Sequence, residues 1–230
     1  MKRSLLGCGL IAGPLFIAAS LTQAFTRKGF DLGQHPISLL SLGAAGWVQI
    51  ANFVVCGTLY LLGGVGLRQA LRQSRGSTWG PLLIGITGVG LIIAGVFTAD
   101  PGAGFPPGAP AGAPTMSWHG LLHEFGFLLT FVAAISASVV LARRYAAQRR
   151  RGWMVAALTT PVAALMVAGW PDLNALSVRL VITTAILFGF LTAVFTEVLK
   201  QGLMDQHVEE DHHRFSKSAG VRQADRDGRW

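Results

Sequence analysis

Six runs of about 20 predominantly apolar residues dominate this chain, near positions 4–25, 47–67, 80–99, 118–142, 153–170 and 175–199. As a helix rising about 1.5 Å per residue, each is long enough to cross roughly 30 Å of hydrocarbon. Lipid offers a crossing backbone no water to bond, so such a segment must be a helix or part of a closed barrel. Barrel strands come as short alternating segments, whereas these runs are continuously apolar. The predicted fold is therefore all-α, an integral membrane bundle of six transmembrane helices filling residues 1–199. With 51% hydrophobic and only 13% charged residues, and a mean hydropathy of +0.49, the chain has too little polar surface for an ordinary soluble domain.

The first run follows Lys2 and Arg3 in the manner of a signal peptide, but it is long enough to span and its small-residue cleavage pattern is poor. It is read as the first span. Cys8 and Cys56 both fall inside spans, which argues against a disulfide framework and for a role as packing residues.

Basic residues in short loops are retained on the cytoplasmic side. Lys2 and Arg3 precede the first span, Arg68, Arg72 and Arg75 follow the second, and Arg143, Arg144, Arg149, Arg150 and Arg151 follow the fourth. Only Arg27 and Lys28 oppose them, in the first loop. Both termini are expected to be cytoplasmic, in the plasma membrane. The net charge of +8 belongs to this asymmetry and to contact with anionic lipid headgroups, so no nucleic-acid partner is expected. Residues 200–230 carry balanced charge and no apolar run and are expected to form a disordered cytoplasmic tail. Within it, EEDHHR at 209–214 reads as solvated charge before it reads as a metal trap.

Glycines such as Gly9, Gly13, Gly57, Gly63, Gly64, Gly85, Gly88 and Gly95 lie within the first three spans. Small residues let helices approach closely where lipid supplies no hydrophobic drive, so a compact bundle is expected and a wide channel is not.

Polar residues sorted by depth gather at the extracytoplasmic side. His35 and Ser38 lie in the first loop, whose stretch 32–46 is apolar enough to touch the membrane surface. Asn52 is near the outer end of the second span, and Asp100 closes the third. His119, His123 and Glu124 open the fourth, Asp172 is in the last outer loop, and Arg179 is about one turn into the sixth span. Residues four apart on a helix share a face, so His119 and His123 can address one ion or ligand, with Glu124 about 100° further round. Ionisable groups in hydrocarbon are costly unless paired or facing a cavity, which makes them functional candidates. The plain alternatives are interfacial anchoring for the histidines, an interhelical hydrogen bond for Asn52, helix termination for Asp100 before Pro101, and an ion pair between Glu124 and Arg179.

The order HPISLLSLG at 35–43, a tryptophan at 47, NFVVCGTLYL at 52–61, GVFTADPGAG at 95–104 and SWHGLLHEFG at 117–126 resembles the domain of unknown function 998 family. These are prokaryotic six-span membrane proteins without an assigned activity. The likeness covers about residues 5–199, includes Arg179 early in the last span, and implies His35, Ser38, Asp100, His119 and His123 as the residues to carry over. It supplies no reaction.

Three function classes stay open. In the first, a polar pocket binds or transports a lipid or small molecule, Arg179 meets an anionic group, and the Ala/Gly/Pro-rich stretch 99–117 is either a lid or a connector. In the second, the cluster only holds helices together in a structural or accessory protein. In the third, a membrane hydrolase uses His35, His119 and His123 to hold zinc, with Asp100 or Glu124 polarising its bound water toward a lipid ester or amide. Bis-histidine haem ligation fares worst, because both histidines within a span belong to one helix. Oligomeric state leaves no mark on the sequence.

Overall fold

The computed structural model describes residues 2–71, 77–171 and 175–227, with side chains from Arg3 as far as Met204. Arg72, Arg75, Asp172 and the side chains of the expected tail from 205 onward lie outside the described residues. The architecture is all-helical: α1 Lys2–Thr26, a 3-10 helix Ile37–Ser41, α2 Gly46–Ala70, α3 Trp79–Val96, α4 Trp118–Ala147, α5 Arg151–Ala168 and α6 Leu176–Asp227. Six helices are long and apolar enough to cross a membrane, the apolar part of α6 ending at Met204.

Each helix packs against its neighbours in sequence, and α6 returns to α1, closing a ring. Short connections between long apolar helices favour this neighbour-on-neighbour order. Glycines make the seams tight, as expected. A Cβ at Gly57 would stand 2.5 Å from the Gly88 carbonyl oxygen, and one at Gly126 would stand 2.7 Å from that of Gly90. Backbones of α2, α3 and α4 therefore touch directly, which larger residues would forbid. Leu67, Tyr60, Leu187, Leu191 and Phe195 fill the interior. Leu121, Phe125, Leu128 and Val132 on α4 point outward, as lipid-facing residues do. Exposed Trp47, Trp118 and Trp170 mark one end of the bundle and Trp79 the other, positions suited to a membrane interface.

The two ends differ. At the arginine-rich end Arg150 pairs with Glu197 at 2.6 Å and lies against the Tyr145 and Trp153 rings. At the histidine end the connections fold into a cap. Arg27 donates to the Leu40 and Leu42 carbonyls at 2.9 and 3.1 Å, fixing the 3-10 helix across the bundle. The 99–117 stretch is not loose: Ala103 and Gly104 donate to the Gly112 and Pro110 carbonyls, and Phe105 is buried against Phe30, His35 and Leu39. The third span stops three residues earlier than expected. Phe97 is already extended, and the Ala94, Phe97 and Thr98 carbonyls at this helix end are bonded by histidines from α4.

Candidate functional site

Helix ends carry unbonded backbone groups, four at each terminus, that something must satisfy. Most of the polar residues picked out in the sequence meet that need. His123, buried at 1% exposure, brings Nδ1 to 2.8 Å from the Ala94 carbonyl and 3.0 Å from that of Phe97. Carbonyls only accept, so Nδ1 carries the proton and, in the neutral ring, Nε2 carries the lone pair. His119 donates from Nδ1 to the Thr98 carbonyl at 3.1 Å in the same way. The shared face of these two histidines is thus aimed at the end of α3, a location that also favours positive charge.

Asp100 serves the start of α4. Its carboxylate accepts from the Ser117 N–H and hydroxyl, both at 2.7 Å, and lies 3.7 Å from His119 Nε2. Ser117 in turn accepts from the Gly120 N–H at 3.1 Å as the N-cap. Burial alone would push the Asp100 carboxyl up, but the two Ser117 hydrogen bonds and the neighbouring His119 and His123 outweigh it and hold the group below the ordinary carboxylate range. Gly120 is required here, since a Cβ would stand 1.9 Å from Asp100 Oδ2.

His35 is a clip between loops. Its Nδ1 accepts from the Asp31 N–H at 2.9 Å, so Nε2 must be the donor, reaching the Ala103 carbonyl at 2.9 Å. Both nitrogens are engaged. The expected zinc set of His35, His119 and His123 therefore does not assemble. Each offers its Nδ1 to the backbone, His35 has no nitrogen left, and no group of three or more His, Cys, Asp or Glu among the described residues is placed to hold a metal ion.

Asn52 also leaves the expected pocket. It sits in the seam between α1 and α2, donating to the Phe16 carbonyl and to Ser20 Oγ, both at 3.1 Å, while accepting from Cys56 Sγ. Sequence reasoning missed its partners Ser20, Gln23 and Gln49, which complete this buried network. The three-residue spacing of Gln49 and Asn52 on one helix face was the available signal. Arg179 donates from Nη1 to the Trp170 carbonyl. The ion pair with Glu124 does not form among the described residues.

What remains is a hollow inside the ring. A chamber of about 230 Å³ is walled by Phe16, Phe53, Phe131 and Phe188 with Leu91 and Leu180, and its polar wall is Ser38, His123, Glu124, Thr130 and Thr184. The 3-10 helix forms its roof through Pro36, Ile37 and Ser38. A second cavity of about 660 Å³ lies beneath the 99–117 stretch, bounded by Gln34, Asp100, Gly102, Ala113 and Met116. Pro36, Ser38 and Glu124 belong to both walls, so the two cavities adjoin there. Glu124 makes no hydrogen bond or ion pair among the described residues, in contrast to Asp100. Of the expected site, Ser38, His123 and Glu124 meet at the chamber, Asp100 lines the second cavity, and Asn52 and Arg179 stand apart.

A ring of six apolar helices enclosing a largely apolar chamber defines a polytopic helical membrane protein. The family described as a protein of unknown function, DUF998, matches residues 10–171, and this chain belongs to it. No curated protein and no solved structure matches the chain.

Proposed function

We propose that the protein lies in the plasma membrane with both termini cytoplasmic and binds or transports a lipid or small amphiphile entered from the extracytoplasmic side. The observation that carries this reading is the pair of adjoining cavities, both mainly apolar, one within the ring and the other beneath the cap, with Pro36, Ser38 and Glu124 in both walls. Small-molecule sites are concave, mainly apolar and furnished with a few convergent polar groups. A chain would occupy the phenylalanine-lined chamber and a head would reach Glu124, Ser38 and the second cavity. The folded 99–117 stretch covers that second cavity and would bound the site from outside.

Retention of co-purifying amphiphile, measured by native mass spectrometry, tests the reading. Leu180→Trp places an indole in the chamber wall and is expected to reduce retention at least tenfold, whereas the outward Val65→Trp leaves it unchanged. Equal retention in both variants overturns it. A structural or accessory role is the second reading, favoured by the backbone duties of His35, Asp100 and His119. Orientation is tested by labelling single cysteines at Ala111 and Arg149 in intact cells with an impermeant maleimide; only the first is expected to react.

A further inference from the structure

The charges lining the two cavities are of one sign. Asp100 and Glu124 contribute carboxylates, and among the described residues no lysine or arginine lines either wall. Asp100 is already engaged by Ser117 through both oxygens and approached by His119. Glu124, an exposed side chain, is not engaged among the described residues, and it lines both the apolar chamber and the second cavity. Next to it in the chain, His123 lines the chamber with Nδ1 committed to two carbonyls, so that in the neutral ring Nε2 is an uncommitted acceptor. Arg179, the cation expected to meet an anionic head, lines neither cavity and is turned to the Trp170 carbonyl. The shared rim therefore presents acceptors: a carboxylate without a protein partner among the described residues and, in the neutral ring, an imidazole lone pair. An anionic head would be repelled there, a neutral one would leave the carboxylate without a counter-charge, and a cationic donor satisfies both groups.

Resting on the binding function above, we propose that the ligand is a single-chain amphiphile with a primary or secondary ammonium head, seated with its nitrogen at Glu124 and its chain among Phe16, Phe53, Phe131 and Phe188. The N–H groups of such a head match the two acceptors, and the surrounding rings offer further attraction to a cation. A quaternary ammonium has the charge but no donors and fits less well.

The full chain in phosphatidylcholine nanodiscs, with protein-free nanodiscs subtracted, is titrated with tritiated octylamine at pH 7 and challenged with unlabelled octylamine, octyltrimethylammonium, octanol, octanoate and ethylamine. Octylamine is expected to compete at least tenfold better than octanol or octanoate and several-fold better than octyltrimethylammonium. Ethylamine, which carries the head alone, is expected to be far weaker. Glu124→Gln is expected to bring octylamine and octanol within threefold of each other, while Glu124→Asp keeps the preference. Should octanol match octylamine in the wild type, and should Leu180→Trp remove both, the chamber binds a chain but the cationic head is wrong. Ethylamine matching octylamine would mark a soluble-cation site and overturn the amphiphile. If no octyl compound binds above the nanodisc background, this inference and the binding function fall together.

Discussion

Two polar groupings lie within this bundle, one buried and one with an exposed carboxylate, and they are built on opposite principles. In the seam between α1 and α2, Ser20, Gln23, Gln49, Asn52 and Cys56 bond chiefly to one another and to backbone, Gln23 Oε1 being the one buried atom left over. At the chamber, Glu124 has no such partner and His123 keeps one nitrogen unengaged. The seam is closed chemistry that holds helices. The chamber is open chemistry whose partner has to come from elsewhere. Both place polar side chains among apolar helices, the seam's buried and neutral and Glu124 exposed and acidic, and partnership separates them further.

The comparison is tested most severely where a group is most fully engaged. Asp100→Ala leaves the Ser117 N–H and hydroxyl without their acceptor at the start of α4. Hydrogen bonds to a charged group contribute about 1.5–3 kcal/mol each, and a loss on the order of 3 kcal/mol is expected. Chemical unfolding in detergent would read it. The same carboxylate sets an acid limit. Its folded value lies below its ordinary one, so its stabilisation is complete above about pH 4 and is lost as pH falls through the lower folded value. Asp100→Asn is expected to be less stable at neutral pH and to lack that acid limb. An unchanged limb would mean that another group governs it.

Gly120→Ala approaches the same contact from the other side. The added methyl would overlap Asp100 Oδ2, and overpacking of this kind costs about 1–3 kcal/mol. A double variant with Asp100→Ala should lose less than the sum of the two, because one clash partner is gone. Strict additivity would break the assigned contact.

In the seam a smaller effect is expected. Asn52→Leu removes donors to the Phe16 carbonyl and Ser20 Oγ, yet interhelical hydrogen bonds in membrane proteins average only about 0.6 kcal/mol. A loss of about 1 kcal/mol follows, with no change in ligand retention. Altered retention would join the seam to the chamber and erase the distinction drawn between them.

Much of this was written plainly in the chain. Continuous apolar runs identify six spans, and glycines such as Gly57, Gly88 and Gly95 in the first three forecast close packing, which the direct contact of α2 with α3 shows. The gathering of His35, Ser38, Asp100, His119, His123 and Glu124 at one end was likewise legible from depth along each run. Their roles were not. Four-residue spacing correctly put His119 and His123 on one face, but spacing cannot say that the face meets the carbonyls ending α3 rather than an ion. Arg179 and Asn52 shared the right depth and the wrong azimuth, which only packing of neighbouring helices determines. Ser117 before an apolar run carried the signature of an N-cap, and with it a structural explanation for Asp100.

Glu124→Gln sharpens the comparison most because its expected effect on stability is the smallest. Neutralising an engaged carboxylate such as Asp100 removes hydrogen bonds that the fold depends on, whereas Glu124 has no protein partner to lose. Surface-like substitutions away from specific contacts shift stability by about 0.5 kcal/mol or less, and removing an unpaired charge at membrane depth acts in the stabilising direction. Glu124→Gln is therefore expected to match or slightly exceed the wild type in unfolding experiments while changing which octyl head the chamber prefers. A loss above about 1 kcal/mol would show that Glu124 is held by the protein itself. In that event the chamber would be closed chemistry like the seam, and a charge retained for a ligand would have no basis in the fold.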